Sequence, residues 1–549
     1  MPAAATIAAL RAVATHCQVA AWSFSDEQAA EVIGIADGLR DLFLPPAAAA
    51  FSAVQPHLLQ LLPTELLSVV LSHLDTHDLA RLTATCRPLW RDAPTPPPRP
   101  MPLLRPMGPV ETELRRRATA RGLRIGSSLP AGALSWVPYL LKRVLRDALR
   151  RQASVAAGHG CSLFVDSERR LLTCGTENSG DGEFVLGHDW GADIDPDKHR
   201  AIGPLTLVPS MQGGRIVSVA TSGEHCLALS AEGEVYSWGD GADGSLGHAD
   251  GGARAVPSRI ESLSQIESIA AGTGLTSAAV DEVGRLFTWG RAKYHFDATM
   301  PNGLGYALDS QTWFQLTPKW VEALSEDRVV GVALGFGFTL AVTDAGAIFS
   351  FGSSHKGALG HGSPEAEVLP RRIEALTQTG RRFVAVAAGE AHALVLTEEG
   401  ELYGWGHEWA NGHGREERTP RRVAALIGQR VKLVNAGPAA SCAVTEKGDL
   451  FTWSGDGSQY NLGHGVDTPQ ATPKRVEALS GARVAAVAIG RLHTLAVDED
   501  GVVWAFGLRS VLGLDDPNPE DDAFVKTPTP IPTLRVRVRK SPDVLPFWP

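Results

Sequence analysis

Cysteine is scarce. The 549-residue chain has six, Cys17, Cys86, Cys161, Cys174, Cys226 and Cys442, with no C-x-x-C pair and no Cys/His cluster at zinc spacing. This argues against a disulfide framework or a structural zinc site and fits a reducing compartment, cytoplasmic or nuclear. No stretch approaches eighteen uninterrupted apolar residues, so no membrane span is expected. Catalytic signatures are missing as well: there is no G-x-S-x-G elbow, no Walker A lysine and no H-E-x-x-H. A non-catalytic protein is the expectation, and no cofactor or metal is implied. Positive charge is short downstream: residues 1–150 hold 16 Lys and Arg against 12 Asp and Glu, the remainder 35 against 49. Such an acidic body gains nothing from releasing the counterions of a phosphate backbone, so nucleic acid is not an expected partner. The basic run RVRVRK at 535–540 alternates Arg with Val, as a half-buried strand does.

Glycine, by contrast, is abundant and periodic. The stretch SWGDGADGSLGH at 237–248 contains Gly239, Gly241 and Gly244 in G-x-G-x-x-G order after an apolar run. A dinucleotide turn needs a helix to open at the third glycine, because the helix N-terminus holds the pyrophosphate. No helical periodicity follows, and Pro257 comes early. The stretch also recurs in variant form at 351–362, 405–414 and 453–465, so the repeat is the feature to explain.

Seven copies align on a small-residue phrase, of which VAAGEAHALVL is typical, with glycines at 158, 223, 272, 335, 389, 437 and 490. A turn glycine follows at 233, 284, 346, 400, 448 and 501, with Arg170 in its place in the first copy. Next comes an aromatic-glycine step such as Trp238-Gly239 or Phe351-Gly352, then LGH, then a proline before an apolar strand. Four strands per copy is the simplest parse, with the loop carrying Gly239, Gly241 and Gly244 between the second and third. Ala and Gly would line the innermost strand, where blades converge. This grammar resembles the repeat of the regulator of chromosome condensation family, a seven-bladed propeller, over about residues 154–540. The predicted fold is therefore mainly β: a seven-bladed β-propeller of four-stranded blades, preceded by a small α-helical module and linker helices. His225, His392 and His493 in the phrase, and His188, His248, His361 and His464 in LGH, fall one per blade and read as satisfied structural histidines.

A second motif lies upstream. In LLPTELLSVVLSHLDTHDLARLTATCRPLWRDA (61–93), leucines at four-residue spacing form a wide apolar stripe on a helix opened by Pro63, and Asp75 is placed to cap a second helix. About thirty residues cannot bury such a stripe internally, so part of it is free to dock elsewhere. The segment, bounded at 57–93, resembles an F-box. The resemblance implies a helical hook for the Skp adaptor, and through it a cullin scaffold, formed by Leu62, Pro63, Leu66, Leu67, Val70, Leu71, Leu74, Leu79, Leu82, Cys86 and Trp90. A plain helical hairpin is the alternative.

Residues 1–56 read as a helical or loosely ordered lead-in, 94–110 as a proline-rich spacer, 111–153 as linker helices and 541–549 as a tail. Together these features imply the substrate-recognition subunit of a Skp-cullin-F-box ubiquitin ligase, with the propeller holding a protein substrate. The alternative is an exchange factor or regulator for a Ran-like small GTPase. Light sensing through tryptophans of the inner phrase is set aside, since none of the seven phrases contains one. The longest insertions lie at 176–203 and 291–318; the second carries Tyr294, Phe296, Tyr306, Trp313 and Phe314, candidate substrate contacts because aromatic residues anchor interfaces.

Overall fold

A computed structural model describes residues 154–177, 186–188, 200–213, 215–291, 303–308, 312–456, 460–466, 468–514 and 523–536. The chain divides into two units, Met1–Arg150 and Arg151–Pro549, and the described residues belong to the second. The F-box candidates at 62–90 lie outside the described residues.

Twenty-eight strands, β1 to β28, form seven four-stranded sheets among the described residues, each an antiparallel meander of consecutive strands. Blade 1 runs from Val155 to Leu207, blade 2 from Ile216 to Arg259, blade 3 from Ile266 to Trp320 and blade 4 from Val329 to Arg372. Blade 5 spans Phe383 to Arg422, blade 6 Val431 to Arg475 and blade 7 Val484 to Arg535. The first strands, such as β5 (Ile216–Thr221) and β17 (Phe383–Ala388), touch the first strands of neighbouring blades, and blade 7 meets blade 1. The ring is closed, as the seven-fold repeat predicts, and its core is a series of apolar clusters between facing sheets.

The small-residue phrase is two strands, not one. In blade 2 it comprises β5 and β6 (His225–Ser230), joined by a tight turn at Gly223, whose φ is 104°. Gly239 therefore ends the third strand, β7 (Val235–Gly239), and Gly241 and Gly244 lie in the loop between the third and fourth strands, one loop later than the sequence parse placed them. The turn was hidden because Ala, Ser and Thr run through it without an apolar break. In the first copy the turn-glycine position is taken by Arg169, with φ 67°, rather than by Arg170: Arg169 N donates to Asp166 O at 3.0 Å, as Gly233 N does to Ser230 O at 3.1 Å.

The aromatic-glycine step has a steric origin. At Gly239 and Gly352 the pairing of the third and fourth strands slips by a β-bulge, and φ is 109° and 110°. A Cβ on Gly352 would lie 2.2 Å from Gly337 O. The fourth strands are edges, and each carries proline at the same place, Pro257, Pro318, Pro370, Pro420 and Pro473 in blades 2 to 6, which removes a donor that a foreign strand would need.

The LGH motif is the socket that joins blades. Among the described residues, the carbonyl of the residue before its leucine, or before Asn411 in blade 5, accepts from the next blade at six seams. Ser245 O takes both Ser277 Oγ (2.8 Å) and Trp289 Nε1 (2.8 Å), and Ala410 O takes Ser441 Oγ (2.9 Å) and Trp453 Nε1 (2.8 Å). The leucine carbonyl turns to its own blade: Ser237 Oγ donates to Leu246 O at 2.8 Å and Ser350 Oγ to Leu359 O at 2.7 Å. The glycine lies against the next blade's aromatic, so a Cβ on Gly360 would meet Trp405 Nε1 at 2.8 Å.

Gly352→Ala is expected to cost about 3 kcal/mol or more, because it combines a disfavoured φ with a backbone clash. Gly380→Ala, at φ 65° with nothing within 4 Å of the added carbon, is expected to cost about 1 kcal/mol. Paired thermal melts check both.

Candidate binding face

In a meander, the turn between strands one and two and the loop between strands three and four open on the same side. That side of the ring carries the phrase glycines and the LGH loops. Its tips crowd the axis: a Cβ on Gly389 would meet Gly437 O at 2.5 Å, and one on Gly490 would meet Gly158 O at 2.5 Å. Phe336 N donates to Glu390 O (3.2 Å) and Glu390 N to Pro438 O (3.0 Å), so neighbouring tips are tied through backbone.

The seven histidines of the phrase and of LGH divide into two sets, both structural. His248 Nε2 lies 2.9 Å from Ser237 Oγ and His361 Nε2 2.9 Å from Ser350 Oγ, each within its own blade. His188 and His464 make the same contact to Thr173 and Thr452 at 3.1 Å. The second set crosses seams: His225 Nε2 meets Ser277 Oγ at 2.8 Å, His392 meets Ser441 at 2.7 Å and His493 meets Ser162 at 2.8 Å. Each of these serines spends its only hydroxyl hydrogen on a loop carbonyl. The histidine must therefore donate from Nε2, which assigns the neutral tautomer. Where the histidine is replaced by Phe338, the facing residue of the next blade is Ala393, and both sit in one core cluster. The blade 4–5 seam is thus filled by an apolar pair where the blade 5–6 seam carries a polar one. Among the described residues, no group of three or more His, Cys, Asp or Glu is placed to hold a metal.

Burial pushes His225 down to about 4 and His392 and His493 down to about 3. All three are neutral at pH 7 in the folded ring. In the unfolded chain they take up protons below about 6.5.

Of the five candidate aromatics, Tyr294 and Phe296 lie outside the described residues. Tyr306 belongs to Leu304-Gly305-Tyr306, the blade 3 form of LGH, and its hydroxyl donates to Thr288 O at 2.8 Å while Lys319 Nζ lies 4.4 Å from its ring centre. Burial holds its phenol well above the usual range. Trp313 is half-buried, and Phe314, also half-buried, opens β12 (Phe314–Trp320), paired with Arg291. The tryptophans of the aromatic-glycine step, Trp238, Trp289, Trp405 and Trp453, are fully buried. Sequence reasoning missed Trp409, 43% exposed on the β19–β20 loop between Leu402–Gly406 and Glu417–Arg422. Its signal was a second tryptophan in GHEWANGHG, four residues past the structural one.

A closed ring of seven meanders joined by LGH sockets defines a repeat propeller, and comparison with known proteins specifies which. Models of the regulator of chromosome condensation (RCC1) repeat match residues 232–279, 345–396 and 447–497, and a second model of that repeat matches 216–245 and 383–415. An F-box-like model matches 59–93. The chain carries an F-box-like segment together with an RCC1-type repeat propeller. It is 38% identical over 323 residues to the E3 ubiquitin-protein ligase HERC2 of Homo sapiens, which covers 57% of this chain and 6% of HERC2. It is 35% identical over 245 residues to the ultraviolet-B receptor UVR8 of Arabidopsis thaliana, covering 43% of this chain and 52% of the receptor. Among solved structures, Prp20p of Saccharomyces cerevisiae, described with its binding properties to Gsp1p and histones, superposes with a TM-score of 0.55 at 21% identity. That match covers 70% of this chain and 89% of Prp20p and supports the fold alone. The RCC1 matches begin at the turn before the third strand, so each sequence repeat spans half of one blade and half of the next.

Because the unfolded chain binds more protons than the folded one between pH 6.5 and the depressed values near 3 to 4, stability is expected to fall as pH drops through that window. Ser441→Ala alone is expected to cost about 1 to 3 kcal/mol by stranding His392 Nε2, whereas His392→Phe with Ser441→Ala, copying the Phe338 and Ala393 seam, restores most of it. Thermal melts from pH 7 to 4 should show a shallower acid limb in the double variant.

Proposed function

We propose that this chain is the substrate-recognition subunit of a Skp-cullin-F-box ubiquitin ligase. The observation that carries the reading is the presence in one chain of an F-box-like segment at 59–93 and a propeller whose first-turn tips and third-to-fourth-strand loops open on one face. The F-box-like helices engage the Skp adaptor, and through it the cullin, by the stripe of Leu62, Pro63, Leu66, Leu67, Val70, Leu71, Leu74, Leu79, Leu82, Cys86 and Trp90. The propeller holds the protein substrate, with Tyr294, Phe296, Trp313 and Phe314 of the blade 3 insertion among its contacts. The chain performs no chemistry in this scheme. It raises the local concentration of a substrate lysine near a ubiquitin carrier held by other subunits, an effect of about millimolar effective concentration for a short tether. Work in a reducing cytoplasmic or nuclear compartment suits its buried free thiols Cys161, Cys174, Cys226 and Cys442.

Affinity purification of the full chain is expected to recover Skp adaptor and cullin, and Leu66→Asp with Val70→Asp is expected to lose both, by at least about tenfold, because each carboxylate would be buried unpaired. Accelerated GDP release from a Ran-like GTPase by a chain that binds no adaptor would overturn the reading in favour of an exchange factor.

A further inference from the structure

Between the tips of blades 4, 5 and 6 the binding face holds a cavity of about 350 Å³, the size range of small-ligand and side-chain pockets. Its walls include Phe336, His407, Trp409, Pro438 and Glu390. The backbone bonds from Phe336 N to Glu390 O and from Glu390 N to Pro438 O tie all three tips together, so the pocket is formed before anything enters it. His407 and Trp409 pack edge to face with ring centres 4.4 Å apart, and the Trp409 amide donates to His407 Nδ1 at 3.3 Å. Trp409 is thereby held in place although 43% of its surface is exposed. None of these aromatics belongs to the LGH socket or the aromatic-glycine step.

The charges around the pocket have one sign to spare. Glu390 is exposed, and among the described residues its carboxylate has no ion pair or hydrogen bond. Glu408 stands 3.7 Å from His407, whose pKa burial lowers, so that ring stays neutral and does not repel a cation. The nearby cation, Lys356, is already turned to Glu416 at 3.8 Å.

We propose that this pocket takes a single arginine or lysine side chain presented by a protein partner. The apolar stem lies along Phe336 and Pro438, the cationic head meets the Glu390 carboxylate, and the indole of Trp409 supplies a cation–π surface. This deepens the reading of the propeller as the substrate-holding module, and its test contains no adaptor, so its failure is separate from loss of adaptor binding.

The test probes the full chain on an array of blocked twelve-residue Gly/Ser peptides bearing one central Arg, Lys, Leu or Glu. Arg and Lys peptides are expected to be retained at least about tenfold over Leu and Glu peptides. Glu390→Gln and Trp409→Ala, both surface changes that should melt like the parent, are each expected to lower retention of Arg peptides by about tenfold. Glu446→Gln, which removes an equal charge from the turn between the second and third strands of blade 6 on the opposite side, is expected to leave it unchanged. Retention of Leu or Glu peptides as strong as that of Arg, no retention of any peptide, unchanged retention in Glu390→Gln, or an equal loss in Glu446→Gln would each overturn the proposal.

Discussion

The ring depends on one backbone carbonyl at each of six seams among the described residues. A propeller made only of greasy sheets could slide one blade against the next, since dispersion and burial are indifferent to register. At Ser245, Gly303, Ala358, Ala410, Asn461 and Val511 a buried carbonyl must find donors, and it finds them on the following blade. Leaving such a group unmet costs more than the bond itself contributes, so the seam tolerates one alignment. The buried serine, the indole and the crossing histidine all follow from satisfying that oxygen and then one another.

Much of this was legible in the sequence, for a physical reason. Sheet pairing and blade packing repeat, so glycines at positive φ, the aromatic beside them and LGH recur at matching places, and recurrence separated structural histidines from a metal cluster before any coordinates. What escaped is local, and most of it is unrepeated. The turn inside the small-residue phrase has no apolar break to announce it. Arg169 holds a left-handed conformation that a neighbouring basic residue disguised. The structural place of Tyr306 is hidden because its blade writes LGY where blades 1, 2, 4 and 6 write LGH. Trp409 is masked by tryptophans whose places are structural, and its offset of four residues from Trp405 is the one sequence sign that sets it apart.

The proposed binding residues lie where the socket makes no demand. The carbonyl, leucine and glycine of each socket are committed to packing, while the tips at 336, 390 and 438 and the loop residues after the aromatic-glycine step face outward. The seams also show how substitution is constrained. A histidine is matched by serine at three seams and a phenylalanine by alanine at a fourth, whereas among the described residues an outward one such as Glu390 has no facing partner to match.

Each blade is a single uninterrupted stretch of chain, with no sheet shared between the two ends of the ring. During synthesis a blade of some fifty residues can pair its strands a few seconds after leaving the ribosome, at roughly 5 to 20 residues per second. Six of the seven joints then form in order as translation proceeds. Only the last, where His493 reaches Ser162 and Val511 O receives its donors, waits for the final blade, so the nascent ring stays an open arc until its closing moments.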